Sequence, residues 1–95
     1  MSFKIRKLSF EIDLTTITDL PLTAKVKHFD ERIIQIIIPH VEKLSMAELK
    51  PIVTDVEKLL HCNIYAINRI KSMEYVKLYA DTKDILQFMK ENEML

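Results

Sequence analysis

Three groups of residues in this chain have types and spacings that could do chemistry. The first is His61-Cys62, a thiol beside an imidazole, to which His28 and His40 could add metal ligands. A structural zinc site takes four ligands, typically supplied through close Cys or His pairs, and that spacing is missing. Neighbours on a strand also point to opposite faces. A buried cysteine and a histidine at a helix C-terminus, where positive charge is favoured, account for the pair; no metal or other cofactor is expected.

The second group is Tyr75, Lys77 and Tyr79, an aromatic and cationic stripe at period two. On a strand it occupies one face, where rings can stack bases and lysine can meet phosphate in a single-stranded nucleic acid. Tyrosine beside isoleucine is equally at home in a protein interface. Pairing Ile70 with Tyr75 across a turn at residues 71–74 puts Ile64, Ala66, Asn68 and Ile70 beside the stripe. Tyr65, Ile67 and Arg69 then join Val76, Leu78 and Ala80 on the other face. The candidate interface is therefore Ile64, Asn68, Ile70, Tyr75, Lys77 and Tyr79.

The third group is Lys4, Arg6, Lys7, Lys25 and Lys27, which form a basic patch if the first strands are adjacent. Glu11, Asp13 and Asp30 dilute it, and lysines that guard a solvated sheet edge are the commoner arrangement. Alternation skips a beat at Arg6-Lys7; a bulge there returns Phe3, Ile5, Leu8, Phe10, Ile12 and Leu14 to one buried face.

Catalysis has little to stand on. Ser9, Ser45 and Ser72 lie in no nucleophile motif, and Asp81 and Asp84 are placed to cap a helix. The 95 residues include no glycine, so phosphate-cradling loops, the dinucleotide fingerprint, the nucleophile elbow and the calcium loop are excluded in standard form.

The elements that must position these residues follow from pattern. Residues 3–14 read as a strand and residues 15–22, with Asp19 and Pro21, as a loop. Residues 24–44 place Val26, Phe29, Ile33, Ile36, Ile37, Val41 and Leu44 at a spacing a helix could use, with Pro39 as a kink. The β-branched run at residues 32–38 argues instead for a strand buried on both faces, with residues 24–29 as its neighbour. Ser45-Met-Ala-Glu48 is a capping box that starts a helix. Its apolar face is Leu49, Ile52, Val53, Val56, Leu59 and Leu60; Pro51 bends it or delays its start to Thr54, and Asn63 is the expected left-handed stop. Residues 64–70 and 75–80 form a hairpin, and Asp81 caps a last helix with Ile85, Leu86, Phe88 and Met89 inward.

The expected fold is a single α+β domain over residues 1–95. It has two layers: a mostly antiparallel sheet of four or five strands, with helices at about 46–61 and 82–94 on one face. A compact helical bundle is the alternative. Zero net charge gives no long-range field for nucleic acid or membrane. The longest apolar run is far shorter than the roughly 20 residues of a membrane helix, and acids interrupt the basic start where a signal peptide would be apolar. One cysteine allows no internal disulfide, so a cytoplasmic location is expected. Abundant Ile and Lys match AT-rich coding, as in a low-GC bacterium, a phage or a mobile element. The expected function is a non-enzymatic interaction or regulatory module, self-associating as a homodimer through an open sheet face or edge strand, or binding another protein. A nucleic-acid-binding regulator using the Tyr/Lys face is the alternative; a metal or thiol enzyme ranks last.

Overall fold

Alternating apolar and polar residues build the first two strands, and a β-branched isoleucine run builds the third. The computed structural model describes residues 8–69 and 74–94, within which Ser9–Asp13 forms β1, Thr23–His28 forms β2 and Ile33–Pro39 forms β3. The first two turns use aspartates where glycine is lacking. Asp13 Oδ1 accepts the Thr15 N–H at 2.9 Å, which holds this carboxyl below its ordinary range. Asp30 Oδ1 accepts from Arg32 and Ile33 at 2.8 and 2.9 Å, turning the chain from β2 into β3.

The capping box then starts α1 (Met46–Leu60): Ser45 Oγ accepts from Glu48 N at 3.2 Å, and the Glu48 carboxylate accepts from Ser45 N at 3.0 Å. These bonds hold the Glu48 carboxyl below its usual range. Ser45→Ala is expected to cost about 1 kcal/mol of stability, measurable by urea unfolding. The helix runs through Pro51 from Met46 and is not delayed to Thr54, because both cap bonds are made ahead of the proline. It stops at His61, with φ 53°, and not at Asn63: the His61 and Cys62 N–H groups both donate to the Glu57 carbonyl and close the helix there. The chain continues through β4 (Ile64–Arg69) and β5 (Tyr75–Asp81) into α2 (Thr82–Glu91). Asn92 ends α2 by donating from Nδ2 to the Phe88 carbonyl at 2.8 Å, short of the expected residue 94.

The five strands lie in the order β1-β2-β3-β5-β4, every pair antiparallel. Strands β3 and β4 therefore run parallel with β5 between them, and α1 carries the chain across β5 in a split βαβ arrangement. Val26, Ile36 and Leu78 are register partners in one row across the sheet and are fully buried. Leu49, Val53, Val56 and Leu60 of α1 and Ile85 and Met89 of α2 join them in one core. The stacking of Phe10 on Phe88, centroids 6.4 Å apart, fastens α2 over the β1 end. Each such buried apolar side chain contributes about 1.5–3 kcal/mol relative to exposure.

The architecture is thus the expected α+β fold, with a five-stranded antiparallel sheet and two helices, and is not a helical bundle. Residues 24–38, which could also be read as helical, hold two strands: Ile34, Ile36 and Ile38 enter the core at period two. Of the expected first strand, Leu8 and Leu14 are buried and Phe10 and Ile12 pack against the core. The expected bulge at Arg6-Lys7 falls outside the described residues, together with Phe3, Lys4, Ile5 and Ile70 and with residues 71–73 of the expected turn. Among the described residues, no helix is long and apolar enough to cross a membrane.

Candidate functional site

The register of the sheet determines which polar side chains share the face away from the helices. One row runs Ser9, Lys27, Gln35, Tyr79 and Ala66, and the next runs Glu11, Lys25, Ile37, Lys77 and Asn68. Tyr75 lies beyond them opposite Pro39. The expected Tyr75, Lys77, Tyr79 and Asn68 are therefore on one face, and Lys25 and Lys27 join them there. Lys4, Arg6 and Lys7 lie outside the described residues.

The centre of this face is held together by its own side chains. Gln35 is 6% exposed and donates from Nε2 to the Tyr79 hydroxyl at 3.2 Å. Phe29, 58% exposed, sits edge-on to the Tyr79 ring with centroids 5.6 Å apart. The Lys77 ammonium lies 5.5 Å from the Tyr75 ring centroid, within cation–π range. Tyr75, Lys77 and Tyr79 are each half-buried in this arrangement, which uses ring surface that a ligand would otherwise stack on.

Strand β4 departs from the expected face assignment at one residue. A bulge between Ile64 and Ala66 sets Ile64 opposite Ala80, on the helix side, where it packs against the core. Its N–H donates to Glu57 Oε2 at 2.7 Å, so α1 itself draws this end of β4 inward. Ile64 thus leaves the candidate interface, and Tyr65 becomes the extra, outward residue at 53% exposure. Past the bulge the expected register holds: Ile67 is opposite Leu78 and Arg69 is opposite Val76. Ile67 lies on the helix side yet remains 40% exposed. The Arg69 guanidinium turns in to donate to the Val41 carbonyl at 2.9 Å.

β4 is the terminal strand of the sheet and pairs only with β5 among the described residues. From Ile64 to Asn68 it carries no charged side chain, whereas β1 at the opposite edge exposes Glu11 and Asp13. Natural sheets usually blunt an edge with charges or proline; β4 has a bulge at its start and one charge, Arg69, at its end, which turns in to the Val41 carbonyl.

The histidines and the cysteine have local structural tasks. His40 and His61 occupy left-handed positions, φ 63° and 53°, which glycine fills in most chains. His28 Nδ1 accepts from Leu8 N at 3.2 Å and ties down β1. Cys62 is half-buried, and its thiol is pushed up to about 12 by burial first, then by the nearby Asp84 and Glu57 carboxylates. Labelling by a thiol reagent at pH 7.5 is expected to be at least about 100-fold slower than after unfolding, since the thiolate is the nucleophile. The folded state keeps the proton that the unfolded thiol loses near 9.0, so this contribution to stability is complete below that pH and lost as pH rises to about 12. Among the described residues, no three His, Cys, Asp or Glu side chains gather as a metal site would require.

No protein-family model matches the chain, and comparisons with curated proteins and with solved structures bring no significant match. Sequence patterning had missed Phe29 and Gln35 as members of the Tyr79 cluster. The available signal was the lone polar residue, Gln35, inside an isoleucine run.

Proposed function

We propose that this chain is a non-enzymatic interaction module that self-associates through the edge of β4 that has no partner strand among the described residues. The observation that carries this reading is a terminal strand, uncharged from Ile64 to Asn68, with Tyr65 and Ile67 exposed. The open face is the weaker candidate, since Gln35, Tyr79, Phe29, Lys77 and Tyr75 already engage one another. An edge strand offers a row of backbone donors and acceptors, which a partner strand satisfies with little side-chain reorganisation. A cytoplasmic setting belongs to the proposal and is supported by the single, half-buried thiol. Light scattering from 5 to 200 µM is the test. A mass of two chains at the upper concentrations is expected, and a single-chain mass throughout would remove the reading.

A second reading has a specific observation behind it: Lys25 and Lys27 share the face of Lys77, Tyr75 and Tyr79, with Phe29 at its border. Cations and rings interleaved in this way suit a single-stranded nucleic acid. Glu11 faces Lys25 directly, which weakens the field. This reading predicts binding of a labelled oligonucleotide that weakens steeply between 50 and 200 mM salt. Flat titrations at low salt would exclude it.

A further inference from the structure

We infer that the β4 edge is filled by the β4 edge of a second copy, paired antiparallel about a twofold axis at Ile67. This inference rests on the self-association reading above and adds the occupant's identity and register.

Face continuity restricts the choice of register. Across any antiparallel seam, opposite residues must share a face, as Ile67 does with Leu78 and Asn68 with Lys77 inside the molecule. An axis between two residues would set Ala66 against Ile67 and break that rule. An axis at Ala66 would place Ile64, which the bulge turns to the helix side, against Asn68 on the open side. It would also bring the bulged Tyr65 into the middle of the seam. An axis at Asn68 would set the exposed Ile67 of each copy against the charged Arg69, leaving it without an apolar partner. With the axis at Ile67, the two exposed isoleucines face each other and Ala66 meets Asn68 on the open side. Tyr65 then falls at the seam's end, near Arg69 of the second copy.

Charge and closure favour the same answer. About this axis the centre of the seam, Ala66, Ile67 and Asn68, carries no charge, Arg69 of each copy lies at its ends turned toward the Val41 carbonyl, and the chain as a whole is neutral, so two copies do not repel. Pairing β1 with β1 about Glu11 would oppose two carboxylates. Pairing β4 with β1 would leave a free edge at each end and grow an open chain. The symmetric β4 seam closes at two copies and joins their two five-stranded sheets into one.

Single-cysteine variants in a Cys62→Ser background test the register, since opposite residues lie about 4.5–5.5 Å apart between Cα atoms, within disulfide range. Under mild oxidation, Ile67→Cys is expected to cross-link to a covalent dimer at least tenfold above Ala66→Cys alone. Ala66→Cys mixed with Asn68→Cys is expected to give the mixed dimer. Circular dichroism confirms that each variant keeps its fold. A two-chain mass with cross-linking of Ala66→Cys to itself, and none at position 67, overturns the register but leaves self-association standing. A one-chain mass at 200 µM with no cross-link at any of the three positions removes both.

Discussion

Replacing Ile36 with alanine is expected to lower the stability of this protein by about 3 kcal/mol, whereas the same change at Ile37 should cost less than about 1 kcal/mol. Ile36 is fully buried in the middle strand of the sheet, with Val26 on one side and Leu78 on the other. Truncation there removes three carbons from a site with packed walls on every side and leaves a cavity the helices cannot collapse into. Ile37 is on the opposite face between Lys25 and Lys77 and is only half-buried, so its loss is met partly by water and by the lysine stems. For a domain of this size each kcal/mol moves the Tm by about 4–8 °C, so the first variant should melt roughly 12–24 °C lower. Thermal unfolding followed by circular dichroism measures both. Equal losses at the two positions would contradict a sheet covered by helices on one face only.

Ile67→Lys is expected to abolish the proposed self-association, weakening it at least about 100-fold, while the monomer keeps its fold. Ile67 is 40% exposed, so a lysine can extend into water without disturbing Leu78 beside it on β5. In the assembled state the substitution sets two ammonium groups across a twofold axis, and like charges so juxtaposed cost several kcal/mol. Natural sheets protect their edges by the same device. Sedimentation velocity at 100 µM, with thermal unfolding as the control, separates loss of association from loss of folding. An Ile67→Lys variant that still sediments as two chains would take β4 out of the interface.

These two expectations draw on features that differ in how far the sequence announced them. The strands were legible because β-branched residues crowd into short runs bounded by turn residues, and the first helix because Ser45 and Glu48 cap each other over a local span. The neighbours β2 and β3, and the hairpin of β4 and β5, were legible from short connections, but the pairing of β3 with β5 that joins them was not, since it is fixed by the whole core and not by any one segment. The grouping of Lys25 and Lys27 with Lys77, and of Phe29 with Tyr79, depends on that pairing. The misplacement of Ile64 has a sharper cause. Period-two counting assumes an unbroken ladder, and the Glu57 carboxylate, seven residues upstream, breaks it by holding the Ile64 N–H. The stop at His61 was hidden in a similar way: without glycine, the left-handed position fell to a histidine, and composition alone did not say which residue would take it.

The position of β5 between β3 and β4 also bears on how the chain reaches its fold. A ribosome delivers β1, β2 and β3 first, and they can zip together as a local meander. The isoleucines of β3 then wait, with one flank unpaired, until β5 has been made. Strand β4 emerges earlier than β5 yet has nothing to pair with until β5 arrives, so β5 and α2 lock both halves at once. The rate-limiting event should therefore be insertion of β5 beside β3, a closure over about forty residues that is slow relative to hairpin formation. A nascent chain ending before Tyr75 would present open strand edges to its neighbours and be prone to aggregate.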